Sequence, residues 1–79
     1  MLKTLDKIEK GETGLIKTIE GKGKLRRRLL DMGITPGTVV VLKKRAPLGD
    51  PIEVTLRGYE LSLRKSEAKL VTIEVEKEI

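Results

Sequence analysis

The chain contains neither cysteine nor histidine. That excludes disulfides, thiolate metal sites, the commonest metal ligand and the usual general base, and leaves any acid–base or metal chemistry to carboxylates. Tyr59 is the only aromatic residue, whereas proteins that hold single-stranded nucleic acid stack bases on several rings, each contributing roughly 1–3 kcal/mol. No apolar run approaches the roughly 20 residues that cross a bilayer. The opening Met1-Leu2-Lys3-Thr4 also lacks the apolar block of a signal peptide. No transmembrane segment is expected, and the cytoplasm is the expected location.

What the chain does have is positive charge and short β-rich runs. Its formal charge is +5, and clustered Lys and Arg attract phosphates and acidic protein surfaces alike. The shortage of aromatics turns that reading away from nucleic acid and toward protein. Length sets a second bound. Residues 1–79 read as a single domain whose folding buries about 60% of the surface the unfolded chain exposes. There is room for one thin core and none for a deep active-site cavity.

The β-rich runs Thr38 to Lys44 and Ile52 to Arg57 are separated by Ala46-Pro47-Leu48-Gly49-Asp50-Pro51. Two prolines unsuited to a sheet interior, with glycine and aspartate between them, make this a hairpin tip that presents Leu48 to solvent. Before it, Leu15-Ile16-Lys17-Thr18-Ile19 reads as a first strand ended by Gly21 and Gly23, although alternation alone does not assign its faces. Thr4 is positioned to cap one helical turn through Ile8, whose apolar residues plug one end of the core. Gly11 and Gly14 stop its continuation.

Lys24 to Met32 is the one convincing helix, closed by Gly33 where a left-handed cap is wanted. Leu25, Leu29 and Met32 are expected to form its core stripe, while Leu30 falls on the flank shared with Arg26 and Arg27. Leu30 either lies under a neighbouring loop or projects as an apolar spot in a basic patch.

Ile34-Thr35-Pro36-Gly37 is a turn with Pro and Gly in type II order, and it feeds a strand that starts as a buried valine run. Ile52, Val54 and Leu56 alternate inward, Gly58 reverses the chain, and Tyr59, Leu61 and Leu63 repeat the inward pattern. Ser66 to Lys69 is a single helical turn, and Val71, Ile73 and Val75 make the last strand, with the segment from Glu74 to Ile79 fraying beyond it. The expected fold class is all-β: a small, strongly bent barrel of five antiparallel strands with one inserted helix, because closure covers edges in so short a chain.

Three motifs invite chemistry. Gly21-Lys22-Gly23-Lys24 ahead of a helix superficially suits a phosphate, but it lacks both the Walker spacing and the dinucleotide fingerprint, and turn glycines with a solvated lysine explain it. Lys22, Lys24, Arg26, Arg27 and Arg28 place five cations within seven residues. They read either as a solvated helix face or as a docking surface for an acidic partner, where charge raises the association rate and an apolar anchor such as Leu30 supplies affinity. A metal would have to use Asp6, Asp31, Asp50 or the glutamates, of which Glu74, Glu76 and Glu78 alternate onto one strand face, and carboxylates alone hold transition metals weakly. A weak divalent-metal contribution, Fe2+ included, shared across a homo-oligomer is what this set allows. No cofactor is otherwise implied.

Arg28-Leu29-Leu30-Asp31-Met32-Gly33-Ile34-Thr35-Pro36-Gly37-Thr38, then Arg45 to Pro51, then Gly58 to Ala68 together resemble the ferrous iron transport protein A family, FeoA. The resemblance covers roughly residues 4 to 76 and is specific in combination: L-x-x-x-G-[IL]-x-P-G, A-P-L-G-D-P and L-x-L-R-x-x-E-A occur in that order. It implies an SH3-like barrel with the helix after the first strand. It also implies a small cytoplasmic accessory protein of bacterial or archaeal ferrous iron uptake that contacts the G-protein portion of the membrane permease FeoB or supports its assembly. GTPase activation has been suggested for the family, but no residue visibly fixes Arg26, Arg27 or Arg28 as a finger toward phosphate.

A related barrel is the C-terminal module of metal-dependent repressors, whose DNA-reading helices have no counterpart in this sequence. The alternative reading is a free-standing basic module that binds nucleic acid or a regulator. On the leading reading Arg26, Arg27, Leu30 and Leu48 form the docking surface, with no catalytic residue.

Overall fold

A computed structural model describes residues 1–76. Six strands, β1 (Leu2–Thr4), β2 (Thr13–Ile19), β3 (Val39–Arg45), β4 (Ile52–Leu56), β5 (Tyr59–Leu63) and β6 (Val71–Val75), form one antiparallel sheet in the order β1-β6-β2-β3-β4-β5. It curls around a single core to which Ile16, Val40, Val54, Leu63 and Ile73 each contribute a fully buried side chain. Helix α1 (Lys24–Asp31) follows β2 and the short helix α2 (Lys65–Ala68) precedes β6. The all-β fold with one inserted helix is as expected. The strand count is not, because β1 carries no periodic pattern and exists by pairing with β6, Lys3 opposite Ile73.

Two bulges give the sheet its bend. Ile16 pairs with Ile73 and Thr18 with Thr72, so Lys17 is extra; Leu42 pairs with Val54 and Lys44 with Glu53, so Lys43 is extra. An extra residue increases local twist and breaks the two-residue alternation. Ile16 and Ile19 therefore both face the core across two exposed residues, which is why alternation did not assign this strand. The valine run is likewise not buried throughout: Val40 is inward, whereas Val39 is 51% exposed on the opposite face.

Below the sheet, the 3₁₀ turn Leu5–Lys7 places Leu5 and, just after it, Ile8 against the core end, as expected, although the Thr4 side chain makes no capping bond. The turn is held from outside. The Arg45 guanidinium donates to the Asp6 carbonyl at 3.0 Å and to the Ile8 carbonyl, so the end of β3 satisfies backbone acceptors that the turn leaves open.

Helix α1 ends in a Schellman motif. Gly33, at φ +97°, donates to Leu30, and Ile34 donates to Leu29 at 3.0 Å, with Leu29 and Ile34 both fully buried. Leu29 is the one fully inward residue of the helix. Leu25, expected on the core stripe, is 37% exposed, and Met32 and Leu30 are half-buried against the core edge.

Candidate docking surface

Lys24, Arg26 and Arg27 occupy the N-terminal turn of α1, where the helix dipole favours anions, with no acidic residue there; in the last turn Arg28 suits the dipole and Asp31 does not. Gly23 at the N-cap contributes no side-chain bond. Arg26, Arg27, Leu30 and Asp31 line a shallow concavity beside Gly23, with both arginines exposed and Leu30 half-buried on its wall. The structure thus brings Arg26, Arg27 and Leu30 together, and Leu30 is neither hidden under a loop nor fully projecting.

Leu48 stands apart from them. It lies at the tip of the β3–β4 hairpin, 97% exposed, where Gly49 at φ +87° donates to Ala46 at 2.7 Å and Ala46 donates to Pro51 at 3.0 Å. These bonds close the tip on its own backbone, so Leu48 is presented rather than packed. Among the described residues it is the most exposed large apolar side chain.

A second concavity joins three separate segments of the chain, a convergence that local pattern did not disclose. It is lined by Arg28 of α1, Asp50 and Pro51 of the hairpin base, and Arg64 and Glu67 of the α2 region. Glu67 is buried; its Oε1 accepts the Arg64 N–H at 2.9 Å and its Oε2 faces Arg28 at 3.5 Å. Asp50 Oδ1 accepts the Lys65 N–H at 2.9 Å. One carboxylate of α2 itself and one from the hairpin base therefore satisfy the first free donors of α2, which is too short to hold itself. Asp50→Ala is expected to cost about 1 kcal/mol, as loss of a helix cap does. Urea unfolding measures the loss, and faster exchange of the Lys65 amide localises it.

The other carboxylates do not converge. Asp6 is buried with its Oδ1 unpartnered, Asp31 lies on α1, and Glu74 pairs with the amino group of Met1. Glu76 is exposed beyond β6, and Glu78 lies outside the described residues. Among the described residues no three metal-ligating side chains come together, and no helix is long and apolar enough to cross a membrane. Tyr59, expected inward, is 42% exposed, and its hydroxyl donates to the Met32 carbonyl, tying β5 to the end of α1.

Comparison with known proteins agrees with this architecture. The family model of the FeoA domain matches residues 3–75. The Fe(2+) transport protein A/Fe(2+) transporter FeoB fusion protein of Porphyromonas gingivalis is 32% identical over 71 residues, 90% of this chain, which spans only 8% of that protein. The solution structure of an FeoA-like protein from Clostridium acetobutylicum is similar with a TM-score of 0.88 at 45% identity, covering 96% of this chain and 88% of that one. The crystal structure of Stenotrophomonas maltophilia FeoA complexed with zinc, described as a procaryotic SH3 domain protein, gives 0.79 at 25% identity over 91% and 89%.

Proposed function

Because this chain belongs to the FeoA family and has its SH3-like fold, we propose that it is a cytoplasmic accessory protein of ferrous iron uptake that acts by contact with the G-protein portion of the permease FeoB. The observation that carries this reading is the fusion relative, in which an FeoA segment and an FeoB transporter share one polypeptide. Tethering gives two modules a high effective concentration for each other, a benefit realised when they touch.

The chain's part in that contact follows from its surface. Arg26 and Arg27 steer an acidic partner and set its orientation, which acts mainly on the association rate. Leu48, already free of its own barrel, enters an apolar pocket on the partner without first breaking any internal packing. The half-buried Leu30 gives the partner an apolar wall between the two arginines. Its contact with the core makes it a poor site for a clean test, since a charge there also disturbs packing.

Leu48→Asp is the clean test. It is expected to lower affinity for the permease's G-protein portion about tenfold or more while moving unfolding free energy by less than about 0.5 kcal/mol. Arg26→Glu with Arg27→Glu is expected to slow association and flatten its salt dependence with little change in dissociation. Calorimetric titration and stopped-flow kinetics measure both. Unaltered binding in all three changes removes this surface from the contact.

A further inference from the structure

Strand β5 lies at one end of the sheet, with β4 on one side of it. The loop from β4 is the two-residue turn Arg57-Gly58, both at positive φ (47° and 83°), so Leu56 and Tyr59 form a hydrogen-bonded pair. By the antiparallel alternation Val54 with Leu61 and Ile52 with Leu63 also exchange bonds, which turns the N–H and C=O of Glu60 and Ser62 away from β4. Among the described residues no backbone bond outside the strand ladders engages either residue.

Natural sheets blunt such an edge with proline, an unpaired charge or a covering element. Here no proline interrupts β5, Glu60 and Ser62 are both exposed, and the Glu60 carboxylate is neutralised by a bond from Lys43. That bond holds Glu60 below the usual carboxylate range. Beyond Ser62 the edge opens onto the concavity of Arg28 and Arg64. Its carboxylates are already committed, Glu67 to Arg64 N–H and Arg28, Asp50 to Lys65 N–H. Arg28 keeps two thirds of its side chain exposed, and Arg64 is exposed, so both guanidinium groups retain donors that face outward.

We propose that the β5 edge takes up an extended segment of a protein partner by strand addition, with an acidic side chain of that segment seated against Arg28 and Arg64. Four outward backbone groups, on Glu60 and Ser62, supply the pairing, and the two arginines supply the preference for acid. This surface is separate from the Arg26, Arg27 and Leu30 concavity and does not depend on the permease being the partner.

The test is an amide-resolved titration of the whole chain with a capped peptide of alternating valine and threonine ended by glutamates. The same peptide ended by lysines is the control. Saturable binding is expected, with the largest shifts and slowed exchange at Glu60 and Ser62, and affinity about tenfold above the control. Ser62→Pro removes one outward N–H without touching the β4 ladder and is expected to weaken binding about tenfold. Arg28→Ala with Arg64→Ala is expected to equalise the two peptides. The proposal is overturned by shifts that avoid β5, by equal affinity for the two peptides, by absence of saturation, or by self-association through β5 that the acidic peptide does not displace.

Discussion

Leu29→Ala is expected to cost about 3 kcal/mol and to lower the thermal midpoint by roughly 12 to 24 °C, read from the far-ultraviolet circular dichroism melt. The size of the effect follows from how little else holds α1. Its eight residues are too few for independent stability, its N-cap lacks a side-chain bond, and the cations of its first turn oppose its dipole. Leu29 is the one fully buried side chain on it, and Leu29 also supplies the carbonyl that accepts the Ile34 N–H in the closing motif. Truncation leaves a cavity under the helix and frees the platform that carries Arg26, Arg27 and Leu30. Partner binding should therefore fall together with stability in this variant, whereas Leu48→Asp separates the two.

Gly14→Ala is expected to cost about 2 kcal/mol even though alanine is the smallest possible addition. Gly14 lies inside β2, and a Cβ there would sit 2.7 Å from Ile73 Cδ1 and 3.2 Å from Ile73 Cβ. Ile73 is fully buried in β6, and its Cβ, fixed by the backbone, stands within the tight range as well. Ile73→Val removes the Cδ1 that meets the new methyl. The double variant is accordingly expected to lose at least about 1 kcal/mol less than the sum of the single losses, a coupling that urea unfolding of the four chains resolves. Additive losses would show that Gly14 is required by its backbone and not by the approach of Ile73.

Much of this fold was legible because local chemistry and tertiary structure agree. The prolines and glycine around Leu48, the left-handed position at Gly33 and the alternation from Ile52 to Leu56 each dictate one local conformation, and each is found. The departures share a cause, namely information held in another segment. Leu2 to Thr4 becomes a strand by pairing with β6, and Leu25 stays exposed although it shares a helix face with the buried Leu29. The bulges at Lys17 and Lys43 are set by register with β6 and β4.

The site follows the same division. Arg26, Arg27, Leu30 and Leu48 could be picked out as exposed or flanking residues from local pattern. The joining of Arg28, Asp50, Arg64 and Glu67 could not, because it depends on where the hairpin base falls relative to α2. One signal was available: an acidic residue three positions after Arg64, at Glu67, is the spacing of a carboxylate that reaches back to cap a short helix. Arg45, whose guanidinium holds the 3₁₀ turn, read only as the basic end of a strand.

On the proposed function this chain acts by laying its surface on the permease. Calorimetric titration of the chain into the permease's isolated cytoplasmic G-protein portion measures that contact directly. Saturable binding that Leu48→Asp weakens at an unchanged melting midpoint is the predicted result. A titration that yields no heat and no saturation, with both proteins shown to be folded, would contradict it.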